Sequence, residues 1–146
     1  MPRHFSLQEA EHQLPEVERA LRDALIHKAE YEKAHQELES HTRRIRMLGG
    51  ARVNPGPLIA VRSRRDTSAA ALKEALERIE EIGAVVKDLD IGLIDFITHY
   101  HGHEVCLCWK LGEEHIRYWH GMDEGFRGRK LIDQEFLDHH HGDSPN

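Results

Sequence analysis

The chain holds only two cysteines, Cys106 and Cys108, and aromatic residues make up 6% of it. One closely spaced thiol pair cannot staple a small disulfide-rich fold. On a strand the two side chains would share a face, which is poor disulfide geometry. The spacing is also tighter than the usual zinc pair, so reduced thiols are expected. No run of about 18 apolar residues occurs, and no membrane span is expected. The opening Met1-Pro2-Arg3-His4-Phe5-Ser6 lacks the apolar core of a signal peptide, so the expected location is the cytoplasm. There is no Walker-type phosphate loop, no Gly-x-Gly-x-x-Gly after a strand, no serine nucleophile elbow and no His-Glu-x-x-His. Whether the chain is an enzyme stays open at this level.

What is plentiful is charge, 32% of residues against 39% hydrophobic, for a net charge of −6. One domain over residues 1–146 is expected, with a helical frame at about 5–86, a small sheet and glycine-rich tail at about 87–131, and an extension at 132–146. Residues 1–86 carry 14 basic and 14 acidic side chains; residues 87–146 carry 6 and 12, which accounts for the whole −6. Eight of the 13 histidines also fall in the second part. Acids and histidines together are the raw material of metal or acid–base sites.

In the frame, Ser6 and Glu9 have capping-box spacing for a short helix over about Leu7 to Gln13. Pro15 reads as the first turn of a second, longer helix. Val17, Leu21, Ala24, Lys28, Tyr31, His35, Leu38, Thr42 and Ile45 form an imperfect coiled-coil-like seam, ended by Gly49-Gly50. Leu58, Arg62, Arg65, Ala69, Leu72, Leu76 and Ile79 continue the rhythm in a helix over about 55–84, with a kink weighed at Asp66-Thr67-Ser68. The two helices make an antiparallel hairpin. Its tip holds Arg43, Arg44, Arg46, Arg52, Arg62, Arg64 and Arg65 without an acid. Arg43, Arg44, Arg62 and Arg65 are the candidate phosphate contacts. No aromatic is interleaved to stack on bases, so nucleic acid is not the expected partner.

Beyond Val86 the period becomes strand-like. Gly92–Thr98, Glu104–Leu111 and His115–Trp119 predict a three-stranded antiparallel sheet, and the fold class is α+β. Val105, Leu107 and Trp109 share one face of the middle strand; Cys106, Cys108 and Lys110 share the other. Trp109, Trp119, Phe96 and Phe126 read as core. The candidate site comprises Asp95, Glu113, His120, Asp123 and Arg129, with His120 and Asp123 facing each other across a glycine-rich loop and Asp95 as a third metal ligand. Glu104 and Asp95 need partners, and Arg129 is the expected one. His139-His140-His141 would take up nickel or zinc adventitiously.

The runs Asp88-Leu89-Asp90-x-Gly92-Leu93-x-Asp95-Phe96, Glu104-Val105-x-Leu107-Cys108-Trp109-x-Leu111-Gly112-Glu113 and Trp119-His120-x-x-Asp123-x-Gly125-Phe126-x-Gly128-Arg129 resemble an uncharacterised bacterial family, domain of unknown function 2203. The opening Phe5-Ser6-x-x-Glu9-Ala10 with Leu14-Pro15 is similar too. The resemblance spans nearly the whole chain and implies no reaction. The first expectation is therefore a small cytosolic binding or scaffold module that self-associates, as a dimer, through its helices. The second is a metal-dependent, hydrolytic site using a divalent ion such as zinc, with Asp95, Glu113, His120 and Asp123 as ligands or acid–base groups. The third is phosphate or nucleic-acid binding at the arginine tip.

Overall fold

A computed structural model describes residues 3–49 and 54–143. Gly50 and Arg52 lie outside the described residues. The elements in order are α1 (Leu7–Met47), α2 (Gly56–Ile82), β1 (Val85–Asp88), β2 (Leu93–Tyr100), β3 (His103–Lys110), β4 (Tyr118–Gly121), a 3₁₀ turn (Phe126–Gly128), β5 (Lys130–Leu131), α3 (Gln134–His139) and β6 (His140–His141). The fold is α+β. Two compact units divide the chain: Met1–Leu21 with Leu76–Asn146, and Arg22–Ala75. Among the described residues no helix is long and apolar enough to cross a membrane.

The capping box forms as its spacing predicts. Ser6 Oγ accepts from Glu9 N at 3.1 Å, and Ser6 N donates to Glu9 Oε1 at 2.9 Å. The expected break at Pro15 is absent, because α1 runs through it. A mid-helix proline costs about 3 kcal/mol. Ala10, Leu14, Val17 and Leu21 are all buried on either side of it, and each large apolar side chain so placed returns about 1.5–3 kcal/mol.

In the Arg22–Ala75 unit, α2 is continuous through Asp66-Thr67-Ser68. The seam there differs from the expected one at alternate positions. Leu58 and Arg65 are partly buried as predicted, but Val61 and Ser68 turn inward where Arg62 and Ala69 were expected. A three-then-four spacing puts valine and serine inside and leaves Arg62 in water, which avoids desolvating a guanidinium. Arg64 donates to Glu37 at 2.7 Å and ties α2 to α1.

In the other unit the sheet has six strands, not three, in the order β1-β2-β3-β4-β5, with β6 on β2 beyond the end of β1. The expectation missed three very short strands and set the third expected strand too early, since the hydrogen-bonded segment is Tyr118–Gly121. Of the segment expected as an extension, the described residues 132–143 include the β5-to-β6 chain that packs on the sheet. Phe136 on α3 is fully buried and stacks at 5.0 Å on Trp119. His101 and Gly102, with φ of 50° and 79°, make the two-residue turn between β2 and β3. Gly92 has φ +70°, and a Cβ there would lie 2.6 Å from Leu111 Cβ.

Ile94, Phe96, Leu107 and Trp109 fill one face of β2 and β3, and Phe5 meets Phe96 edge-on at 5.1 Å. Trp119 is half-buried and Phe126 exposed, so the aromatics expected as core are so only in part.

Candidate metal centre

Strand register does what sequence spacing cannot. Asp95 on β2 pairs with Cys108 on β3, and Cys106 pairs with His120 on β4. Side chains alternate along strands and partners share a face. Asp95, Cys106, Cys108 and His120 therefore sit on the face opposite Leu107 and Trp109. All four are buried.

His120 Nε2 lies 2.9 Å from Asp95 Oδ1, and its Nδ1 donates to the Gly121 carbonyl at 2.8 Å. Both nitrogens face oxygen acceptors, so the ring is held as imidazolium. Its pKa is pushed up to about 10, first by the hydrogen bond to Asp95 and then by one to Cys108, against the opposing effect of burial. Burial, seconded by the Asp95 charge, pushes the Cys106 thiol up to about 12. Burial also raises Cys108, with the His120 hydrogen bond opposing it. A general base needs a free ring lone pair, and a nucleophilic cysteine needs a thiolate. With both protons in place this arrangement supplies neither, and an ion bound there would have to displace them.

It does supply a ligand set. One oxygen of Asp95, Sγ of Cys106 and one ring nitrogen of His120 all lie within 4.8 Å of one another. Nitrogen and oxygen ligands about 2.0 Å from one tetrahedral ion stand about 3.3 Å apart, and a nitrogen–sulphur pair about 3.5 Å. Small movements would bring the three atoms onto one ion. The Nδ1 hydrogen bond to a backbone carbonyl is the arrangement that fixes the tautomer of metal-binding histidines.

Two further groups of donors fit an ion less well. His4, His99 and Asp143 come close, but the rings of His4 and His99 are stacked at 3.9 Å with 21° between planes. Their lone pairs lie in those planes, so an ion shared between them would sit out of both. His4 is already bound by Asp143 at 2.9 Å and Glu104 at 2.8 Å. His101, Glu135 and His139 form the other group, exposed, with the two histidine rings stacked at 4.7 Å. Both groups fasten the chain onto β2.

The expected residues thus part company. Asp95 and His120 meet. Glu113 instead receives Arg129, whose Nη2 also reaches the Cys108 carbonyl at 3.3 Å while its guanidinium lies over the rings of Tyr118 and Phe126. Arg129 is therefore the partner of neither Asp95 nor Glu104, which pair with His120 and His4. Asp123 is exposed and outside the cluster. Its neighbour Glu124 orders the turn instead, accepting from Gly121 N and Lys130 Nζ, both at 2.8 Å. Cys106 is the member of the cluster that the sequence reading left out; its shared face with Cys108 was the available signal. Of the tip arginines, Arg65 pairs with Asp66, while Arg43, Arg44 and Arg62 are exposed. The three consecutive histidines are built into the fold. His140 Nε2 accepts from Leu7 N at 2.9 Å, and the His141 ring stacks on His99 at 4.9 Å.

Residues 3–132 match the model of a family described as Uncharacterized conserved protein (DUF2203). No curated protein and no solved structure matches the chain.

Proposed function

The chain belongs to the DUF2203 family of uncharacterized conserved proteins, and from that premise we propose that it is a metal-binding protein in which Asp95, Cys106 and His120 hold a zinc-type ion. The observation that carries this reading is the convergence of three chemically distinct, buried ligand atoms within 4.8 Å. A mixed oxygen, sulphur and nitrogen set suits a borderline-soft divalent ion. Such an ion would link β2, β3 and β4 from the face opposite the apolar core. Closure of the site, with the His120 side chain 0% exposed, favours a structural ion over a hydrolytic one, which keeps an open position for water. Reduced thiols fit a cytoplasmic location.

The test is zinc content after loading and desalting, measured on the wild type, Asp95→Asn and Cys106→Ser. One zinc per chain in the wild type and loss in both variants is the expected result. In cobalt-loaded protein, a thiolate-to-metal charge-transfer band should vanish in Cys106→Ser. A wild type that keeps far less than one equivalent, or a Cys106→Ser that keeps it all, would overturn the reading. Removing residues 139–141 is not a neutral control, because His140 caps α1.

A second reading concerns assembly. Within Arg22–Ala75, Ile26 and Ile59 are exposed, as are Met47 and Leu48 at the end of α1. These residues favour self-association of the helices as a dimer. Light scattering across a hundredfold dilution tests it, and a monomer mass throughout would remove it.

A further inference from the structure

The site has one more donor close by. Met122, two residues beyond His120, places Sδ 3.5 Å from Cys106 Sγ. It is 43% exposed, whereas Asp95, Cys106, Cys108 and His120 are at most 5% exposed. The turn carrying it is tied to the same backbone that orients the histidine: the Gly121 carbonyl accepts from His120 Nδ1 at 2.8 Å and from Glu124 N at 3.0 Å. Glu124 Oε1 accepts in return from Gly121 N. The thioether is therefore positioned along with the imidazole. Two sulphur ligands about 2.3 Å from one ion at the tetrahedral angle stand about 3.8 Å apart. The observed separation is close to that.

A thioether adds little to a zinc site but is a preferred ligand of monovalent copper, as are thiolate and imidazole. Cys106 and His120 thus belong to two overlapping sets, completed by the Asp95 carboxylate on the buried side and by Met122 on the solvent side. We infer that Met122 is a metal ligand and that, through Cys106, His120 and Met122, the site takes a soft monovalent ion, Cu(I), from solution. Binding forms bonds from copper to sulphur and nitrogen and releases the Cys106 and Nε2 protons to water; no electron is transferred.

This rests on the metal-binding reading above, and the test separates the two. Cu(I) affinity is measured on the full chain, without oxygen, by competition with a colorimetric Cu(I) chelator, alongside zinc affinity. Met122→Leu keeps the side-chain volume at an exposed position, so folding is preserved. Expected is a loss of Cu(I) affinity of about tenfold or more, the scale on which losing even an outer metal partner is felt, with zinc affinity unchanged. If the wild type binds zinc but not Cu(I), or Met122→Leu binds Cu(I) as tightly as the wild type, the role of Met122 is refuted and the zinc reading stands. If neither ion binds, both fall.

Discussion

Replacing Asp95 by asparagine tests the centre of the site without changing its shape. The carboxyl is 3% exposed and the imidazole it faces 0%, with 2.9 Å between them. Asparagine leaves the volume but removes the charge that holds His120 protonated. The ring must then stay charged without a counter-ion or give up its proton and point a lone pair at the amide. Removing one partner of a buried ion pair costs about 3–5 kcal/mol. At roughly 2–4 °C per kcal/mol for a chain of about this size, the midpoint of thermal unfolding should fall by roughly 6–20 °C. The assay is urea or thermal unfolding at pH 7 in the presence of a chelator, followed by tryptophan fluorescence. Trp109 and Trp119 both lie in the unit that contains the pair, so the probe reports that unit. A companion variant, Asp95→Leu with His120→Phe, removes both charges and should be far less damaging than either single change. A loss below about 1 kcal/mol in Asp95→Asn, the scale of an exposed pair, would show that the pair is not sealed from water and refute the reasoning.

Three further outcomes are expected. His4 is raised: burial pulls its pKa down, but the hydrogen bonds to Glu104 and Asp143 outweigh it, so its contribution is full below 6.5 and lost as pH rises through the folded-state value. His99 is lowered by burial and by its neighbours His4 and His141, against the opposing charges of Asp143 and Glu104; its contribution is present above 6.5 and lost as pH falls. Hydrogen exchange at the Phe5 and Asp143 amides, which bond Ile97 and His4 carbonyls, should thus show greatest protection, corrected for intrinsic rates, near pH 6.5; a monotonic profile contradicts this. Gly142→Ala would put a Cβ 2.4 Å from Glu9 Oε1 and 2.7 Å from Ser6 N, and should cost about 1–3 kcal/mol in urea unfolding. His140→Ala should cost about 1–3 kcal/mol by orphaning the Leu7 amide, while the exposed His139→Ala should change stability by less than about 0.5 kcal/mol. Equal effects of the two would deny His140 its capping role.

Local chemistry made part of this legible. Ser6 and Glu9 are three residues apart, and reciprocal capping needs nothing more. Alternation along β3 separated Leu107 and Trp109 from Cys106 and Cys108 without knowledge of any partner strand. The centre itself was not legible, because Asp95 and His120 are 25 residues apart and meet only through two strand registers. Lacking those, nearness in sequence suggested Asp123 for His120, although a residue two beyond a strand end points wherever its turn sends it. Pro15 misled for the converse reason: burial on both sides of it overrides a local breaking signal. The seam of α2 slipped at Arg62 because helical spacing alone cannot tell three-then-four from four-then-three.

The bond from Leu7 to His140 spans 133 residues and closes the first turn of α1 with a side chain from the far end of the described chain. On the ribosome this sets an order of events. Arg22–Ala75 is complete once its own residues have emerged, but the unit built from Met1–Leu21 and Leu76–Asn146 is not. Phe5 must wait for Phe96 and Ile97 on β2, and the Leu7 amide for His140 on β6. The first turn of α1 is therefore unfinished until the segment that carries His140 has left the exit tunnel.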